Sequence, residues 1–333
     1  MKGAQVTVIS PASQPNHSLR SALTRQCLKR RLLVLVLLIL GGIANLHGQV
    51  MAGDVTVKVG EGDTITVAID GDAFATYNYG GDLPKPFFLP IRTASGTVIN
   101  RALNDQSDAD HPHHKGLWVS VDEINEQKHW AEKAPIVNTS TRIVKSGGPA
   151  AVLEVVNEWR DAENKVAQVV ETTRITIHSN RLLVYEITFT TNLNEAIFED
   201  TKEGLLGFRV APSMKEKNGG RVVSSDGTKG TKECWGKPFP WIDYVGEVEG
   251  KTVGVTLMDD PGNFRPSRYH VRDYGLFSLS PFGEKAYTNG KHEAMPVHLK
   301  KGEKLSLRYG VYLHDGDTEA GNVAAVWEQF SGR

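Results

Sequence analysis

The sequence predicts an all-β protein, a large twisted sandwich of antiparallel sheets with a short C-terminal helix. Apolar residues alternate with polar or small ones, the two-residue period of a half-buried strand, in residues 55–69, 151–159, 166–177 and 182–190. Only residues 318–330 show the spacing of apolar side chains that is typical of a helix. No repeat at a solenoid or propeller period stands out, so the strands are assigned to one sandwich.

The strand over residues 182–190 shows the alternation most clearly. Its apolar face is predicted to carry Leu183, Tyr185, Ile187 and Phe189, and its polar face Glu186, Thr188 and Thr190. Together with residues 166–177 and the turn at Ser179 and Asn180, it predicts one β-hairpin. Residues 76–110 and 213–241 are rich in Gly, Pro, Asn and Lys, which predicts irregular loops. Long loops in a β-protein often carry function.

The charge and the N-terminal segment limit the classes to which the protein can belong. The 333 residues include 38 Lys and Arg against 39 Asp and Glu, a net charge of −1. No basic cluster lies beyond residue 31, which argues against nucleic acid as a partner. Lys29, Arg30 and Arg31 precede an apolar run over residues 32–43, and small residues follow. This pattern is typical of a secretory signal peptide.

The predicted signal peptide covers residues 1–52 and leaves one β-sandwich domain over residues 53–333. The apolar run has twelve residues, whereas a helix needs about twenty to cross a bilayer, so no stable membrane span is expected. Removing six basic residues leaves 32 basic against 39 acidic ones, a net charge of −7. The location is therefore predicted to be periplasmic or extracellular. Cys234 is then the single cysteine and is expected to be buried.

The densest group of polar residues is the string Asp-Ala-Asp-His-Pro-His-His-Lys-Gly-Leu-Trp at residues 108–118. Pro112 favours an extended backbone at His111, which would place His111 and His113 on one face about 6.5 Å apart. Two imidazoles in that arrangement can bind one divalent metal, the candidate cofactor, if a third ligand comes from elsewhere. They can equally act as acid, base or substrate ligands, or satisfy buried backbone groups.

Three further groups of polar and aromatic residues are candidates for the same site. Residues 199–204 place carboxylates around Lys202 just before a glycine, which suits a tuned acid or base but also a solvated turn. Residues 235–244 and 260–275 combine aromatic rings with Arg, Asn and Asp. Rings stack on the C–H faces of sugars, and polar side chains bind their hydroxyls. Each group alone could also be core packing and turns, but together they favour one cleft that binds a carbohydrate or small polar substrate.

Several strings together resemble the PmoA-like family, which is often labelled "methane oxygenase PmoA". They are Phe-Phe-Leu-Pro-Ile-Arg at 87–92, the string at 110–118, residues 200–204 with Gly207 and Arg209, Trp-Gly-Lys at 235–237, the aspartate, asparagine and arginine within 260–265, His-Val-Arg-Asp-Tyr-Gly-Leu at 270–276 and Pro-Phe-Gly at 281–283. The resemblance spans residues 73–317 and implies an exported bacterial protein without a settled activity, found beside sugar-directed enzymes. It does not imply copper chemistry. The particulate methane oxygenase is a copper enzyme with many membrane spans, whereas this sequence has one short apolar run. Lys115 stands where the family commonly has Arg, and residues 127–129 replace a Gly-Asp-Phe-like turn.

An analogy of fold extends this interpretation. The galactose mutarotase-like supersandwich is a large β-sandwich with a His-rich cleft, in which a His acts as acid and a Glu as base. The analogy suggests His113 or His270 as the acid and Glu203 as the base, although one fold hosts many functions.

The candidate residues follow from these groups. The catalytic candidates are His113, His270, Glu203 and His111, and the metal candidates are His111 and His113. The substrate-binding candidates are His114, Lys115, Arg209, Arg272, Lys202, Trp235, Lys237, Trp241, Tyr274 and Asn263. The predicted function is an epimerase, lyase or hydrolase acting on carbohydrate. A metal-binding protein and a non-catalytic glycan-binding module are the alternatives.

Overall fold

The predicted strands assemble into antiparallel sheets in the structure, a computed structural model that describes residues 53–332. The predicted signal peptide at residues 1–52 lies outside the described residues. Strands are numbered here in chain order. In spatial order, the eight strands of the first sheet are β1 (Val55–Val59), β2 (Thr64–Ile69), β3 (Asp72–Asn78), β4 (Phe87–Ile91), β5 (Leu117–Val119), β13 (Leu206–Arg209), β18 (Leu276–Ser280) and β17 (Arg268–Val271).

A second eight-stranded sheet packs against the first. Its strands are, in spatial order, β14 (Arg221–Ser224), β15 (Trp241–Val248), β16 (Lys251–Asp259), β20 (Leu305–Asp315), β11 (Leu182–Thr190), β10 (Ala167–His178), β9 (Ala150–Arg160) and β8 (Ile136–Lys145). A small third sheet contains β19 (Val297–Lys300), β12 (Glu195–Phe198), β6 (Glu123–Ile124) and β7 (Gln127–Lys128).

Short helices complete the described chain. They are α1 (Thr231–Cys234), α2 (Glu284–Tyr287) and α3 (Val323–Ser331), with 3-10 turns at Gln106–Asp108, Pro212–Met214 and Glu216–Asn218. The predicted C-terminal helix is confirmed, although it begins at Val323, because residues 317–322 form hydrogen-bonded turns before it. Within residues 53–332, no helix combines the length and the hydropathy needed to cross a membrane.

The predicted β-hairpin is confirmed by the register of β10 and β11. Ile177 pairs with Leu183 and Ile175 with Tyr185 in antiparallel alignment. All four apolar residues predicted for the inner face of β11 are buried in the core between the two large sheets. Cys234 is buried as well. The all-β sandwich predicted from the alternation is therefore correct.

The two predicted long loops contain strands that the sequence pattern did not indicate. Residues 76–110 include the end of β3 and all of β4, and residues 213–241 include β14 and α1. Phe88 packs into the core between the sheets while Phe87 packs on the opposite face of the first sheet. Both faces of β4 are therefore covered, so its sequence lacks the alternation of a half-buried strand.

The outer faces of the two large sheets are covered differently. Helix α3 packs Val326 and Phe330 onto the outer face of the second sheet. The outer face of the first sheet carries a separate aromatic cluster that includes Phe87, Trp118 and Trp130. The predicted site residues gather beside this second cluster.

Candidate functional site

Four residues form a row across neighbouring strands of the first sheet. Gly207 on β13 pairs with Trp118 on β5 and with Ser278 on β18, and Ser278 pairs with His270 on β17. Directly paired residues project to the same face of a sheet. Because the alternate residues Leu206 and Phe208 enter the core, this row faces outward. We call the outer surface around Trp118, Gly207, Ser278 and His270 the site face.

Gly207 allows the Trp118 indole to lie across β13. A Cβ atom at this position would be 2.6 Å from Trp118 Cζ2 and 2.7 Å from Cε2, closer than two carbon atoms can approach. The indole is buried, stacks on His114 at a centroid distance of 5.5 Å and contacts Trp130 at 5.1 Å. A flat aromatic ring therefore lies over β13 where a side chain would otherwise stand, and His114 and Trp130 cover it.

A stack of rings continues from Trp118 to the turn between β17 and β18. His114 stacks on His111 with 4.9 Å between ring centroids, and His111 stacks on Tyr274 at 4.9 Å. His113 meets the ring of His114 edge-on at 4.6 Å and is half-buried. The structure thus brings three predicted histidines and Tyr274 together.

The prediction of an extended backbone at His111 is wrong. Its φ angle is +45°, and the His114 amide donates to the His111 carbonyl at 2.9 Å, which closes a turn. The physical reason is the buried Arg101 guanidinium, around which the segment curls. Arg101 donates to four backbone carbonyls, those of Asp108, Asp110, His111 and His114. The sequence alone did not indicate Arg101, because it lies in the segment predicted as a loop.

Beneath the rings, three cations share two carboxylates. Arg209 and Lys215 both pair with Asp108, Arg209 also pairs with Asp110, and Arg101 pairs with Asp110 at 3.0 Å. Arg209 is fully buried, and its guanidinium lies 5.1 Å from the Tyr274 ring centroid. Arg209 was predicted to bind substrate directly, whereas in the structure its Nη2 group serves this ionic network and its Nη1 atom lies 3.3 Å from His114 Nδ1.

A second network supports the other side of the ring stack. Lys85 and Lys115 both pair with Glu132, and Lys85 donates to the His113 carbonyl at 2.7 Å. Lys85 Nζ also lies 5.4 Å from the Trp118 ring centroid. Burial lowers the pKa of Lys85 to about 8. The predicted substrate ligand Lys115 is therefore engaged by a carboxylate, and Lys85 and Glu132 join the site without a local sequence signal.

His270 is buried beside the row with one ring nitrogen free. It is 3% exposed, and Nδ1 has no hydrogen-bond partner among the described residues. The rings of Trp235 and Tyr287 each lie 6.2 Å from its ring centroid. Burial lowers the pKa of His270 to about 3, so the ring is neutral at neutral pH. For the same reason burial lowers the pKa of His113 to about 4 and that of His114 further.

Glu203 lies in the loop that leads into β13. Burial raises its pKa above the usual carboxyl value, and the opposing effect of Lys202, 3.5 Å away, is smaller. Burial raises the pKa values of Tyr274 and Tyr287, and the negative charge of Glu203 adds to both shifts. Tyr287 donates to the Lys202 carbonyl, which fixes the loop next to His270. Glu203 and Lys202 therefore belong to the same surroundings as His270 and Tyr274.

Three predicted substrate ligands lie outside the site face. Trp241 is on β15 of the second sheet, packed near helix α3. Lys237 is exposed and lies 3.8 Å from Glu233. The Asn263 amide donates to Asp259 and to the Arg308 carbonyl, so its polar atoms stabilise a loop. Nearness in sequence to Trp235 or to His270 had suggested these residues, but the chain crosses to the other sheet or to the surface in between.

The metal hypothesis lacks a third ligand. His111 and His113 are 5.8 Å apart between ring centroids and are nearly perpendicular. Within the described residues no three His, Cys, Asp or Glu side chains are arranged to hold a metal ion. The arrangement therefore does not fit the divalent cofactor that the two histidines suggested.

Five buried polar atoms at or near the site face have no hydrogen-bond partner within residues 53–332: Trp118 Nε1, Arg209 Nε, Trp235 Nε1, His270 Nδ1 and Ser278 Oγ. Buried polar groups in folded proteins are nearly always paired, and an unpaired one costs about 1–3 kcal/mol. Ser278 was missed by the sequence analysis, although the alternation of Ser278 and Ser280 with apolar residues in β18 marks a polar outer face.

The fold and the site define a class of protein, an antiparallel β-sandwich with an aromatic, cation-rich site on the outer face of one sheet. Residues 64–328 match a family of unknown function, DUF6807, and the chain belongs to that family. A comparison with curated proteins gives no match.

Solved structures that are similar to the chain include proteins named for activities on sugars. A β-arabinopyranosidase is 14% identical, with 79% of this chain and 38% of that chain covered and a TM-score of 0.33. A galactose 1-epimerase from Lactobacillus acidophilus NCFM is 9% identical over 79% of this chain and 98% of that chain, with a TM-score of 0.37. A GalM/aldose epimerase homologue from C. elegans is 7% identical over 80% of this chain and all of that chain, with a TM-score of 0.34. Scores this low carry no argument about activity.

Proposed function

We propose that this protein is an exported carbohydrate-active enzyme that binds a sugar on the site face and acts by acid–base chemistry. The observation that carries the proposal is the group of five unpartnered buried polar atoms set among aromatic rings. The rings and the unpaired donors and acceptors complement the C–H faces and the hydroxyl groups of a sugar. Because each unpaired atom has almost no exposed area, the sugar reaches it only when the side chains that cover it move.

The pKa directions favour roles opposite to those of the mutarotase analogy. Burial leaves His270 neutral at neutral pH with Nδ1 unpaired, so this nitrogen is free to accept a proton, although the lowered pKa makes the imidazole a weak base. Burial raises the pKa of Glu203, so this carboxyl keeps a proton at higher pH than an exposed one and is suited to donate it. We therefore propose Glu203 as the acid and His270 as the base. His111, whose ring faces are covered by His114 and Tyr274, would contribute its exposed edge to the bound sugar.

The activity is tested by incubating the mature protein with a panel of glycans and following new reducing ends, unsaturated products and altered stereochemistry. We expect Glu203→Gln and His270→Asn each to lower turnover by about 10²–10⁴, the usual contribution of an acid–base group. Lys237→Gln and Trp241→Phe are matched controls outside the site face, and both should retain the activity of the unmodified protein.

Two outcomes would contradict the proposal. Full turnover in both site variants would remove the acid–base roles, and sugar binding without any product would indicate a non-catalytic glycan-binding module instead. Export is tested separately by fractionating cells that produce the full chain, since the predicted signal peptide supports it. The resemblance to the PmoA-like family stays a prediction.

A further inference from the structure

The two ionic networks beneath the site face carry more positive than negative charge. In the first, Arg101, Arg209 and Lys215 share Asp108 and Asp110. In the second, Lys85 and Lys115 share the single carboxylate of Glu132. Each network therefore has one cation in excess. This is unexpected in a mature chain whose predicted net charge is −7, and buried charge without a counterion is costly.

Arg272 adds a third positive charge at the edge of the same site. Its guanidinium lies 5.6 Å from the Tyr274 ring centroid, and no carboxylate among residues 53–332 forms an ion pair with it. Arg268, at the start of β17, is by contrast paired with a carboxylate. Its Nε and Nη2 atoms donate to the two oxygens of Glu284 at 2.8 and 2.7 Å.

The free guanidinium borders open space. A cavity of about 440 Å³ is lined by Arg272, Asp273, Val271, Trp235, Thr231, Lys232 and Glu216. Its lining holds two cationic side chains, Arg272 and Lys232, and two carboxylates, Glu216 and Asp273. Glu216 accepts hydrogen bonds from the amide and hydroxyl of Thr231. Trp235 contributes an aromatic wall, while its unpartnered Nε1 atom is buried. Trp235, whose ring centroid is 6.2 Å from that of His270, and Val271 link the cavity to His270, and the cavity offers a guanidinium and an aromatic ring together.

We infer that the sugar bound at the site face is acidic and that Arg272 binds its carboxylate. The inference rests on the proposed function and names its substrate class as glycans that contain uronic acids. The planar guanidinium fork matches a carboxylate through two parallel hydrogen bonds, as Arg268 matches Glu284. An acidic sugar would also offset the excess of positive charge, which a neutral sugar would leave uncompensated.

The test compares affinities for three trisaccharides of matched linkage, measured by calorimetry. They are a galacturonic acid trisaccharide, the corresponding neutral galactose trisaccharide and a sulfated galactose trisaccharide. We expect the galacturonic acid trisaccharide to bind at least about tenfold more tightly than the neutral one, with a preference that weakens as salt is added. Arg272→Gln should abolish the preference. Arg272→Lys, which keeps the charge but not the fork, should retain only part of it.

Arg174→Gln is the matched control, because Arg174 is an exposed arginine on the second sheet and lies 3.8 Å from Glu186. It should keep the full preference. Equal affinity for the neutral trisaccharide, or a preference that survives Arg272→Gln, would overturn the inference and leave the proposed function standing. Equal affinity for the sulfated trisaccharide would overturn the carboxylate assignment. If none of the three binds, the inference and the proposed function both fail.

Discussion

Substituting Gly207 by alanine tests whether the contact between β13 and Trp118 builds the site face. The new Cβ would lie 2.6 Å from Trp118 Cζ2, 2.7 Å from Cε2 and 3.0 Å from Cη2. The indole cannot retreat easily, because it is buried between His114 and Trp130. Overpacking of this kind costs about 1–3 kcal/mol in a well-packed core. We expect Gly207→Ala to lower the free energy of unfolding by that amount.

Urea unfolding measures this loss as a shift in the midpoint with an unchanged slope. Gly81→Ala is the matched control, because no heavy atom lies within 4 Å of a Cβ placed at Gly81, and it should leave stability within about 0.5 kcal/mol of the unmodified protein. Displacement of the indole should also weaken sugar binding in Gly207→Ala and not in the control.

A double-mutant cycle decides whether the indole is the cause. Trp118→Phe replaces the indole by a shorter ring without Cζ2 and Cη2, so the alanine should cost at least about 1 kcal/mol less in that background. Strictly additive effects of Gly207→Ala and Trp118→Phe would refute the reasoning. So would a Gly207→Ala variant with unchanged stability and unchanged sugar affinity.

Three further predictions concern buried ionisable groups. Burial raises the pKa of Glu203 above its unfolded value, so ionisation destabilises the fold as pH rises through the folded pKa. Glu203→Gln should therefore raise the melting temperature at pH 8 but not at pH 4, and equal shifts at both pH values would count against this. His270 has a pKa lowered by burial to about 3 from 6.5, so it contributes stability above pH 6.5 that is lost as pH falls. In calorimetry His270→Asn should lose less stability between pH 7 and pH 4 than the unmodified protein, and an equally steep loss would be inconsistent with the burial argument. Asp243 is fully buried and binds His314 Nε2 at 3.1 Å and Thr318 Oγ1 at 2.7 Å. Asp243→Ala should cost about 3–5 kcal/mol and speed hydrogen exchange near His314, whereas a loss under about 1 kcal/mol would show that the pair contributes little.

Much of the fold follows from the period of the sequence. The alternation at Leu183, Tyr185, Ile187 and Phe189 identifies the inner face of a strand, because one side of that strand meets the core and the other meets more polar surroundings. The pattern fails at Phe87 and Phe88, where both faces of the strand are covered. Local sequence can report which side of a strand is apolar only when the two sides differ.

The candidate site was predictable where residues are close in sequence. The string at residues 108–118 supplies His111, His113, His114 and Trp118, and all four lie together in the structure. The extended geometry expected for His111 was wrong, because a distant guanidinium shapes the turn. Among the predicted site residues that are far apart in sequence, Arg272 and Glu203 lie near the ring stack, whereas Trp241 is on the other sheet.

Residue patterns alone predict the all-β sandwich, its hairpin, its terminal helix and the histidine-rich segment. The alignment of Trp118, Ser278 and His270 in one outward-facing row beside two cation-rich networks is visible only once the chain is folded. The alternation of apolar and polar residues in a strand reflects only which face of that strand is buried. Strand order and register depend instead on which apolar faces pack and which backbone groups pair across distant parts of the chain.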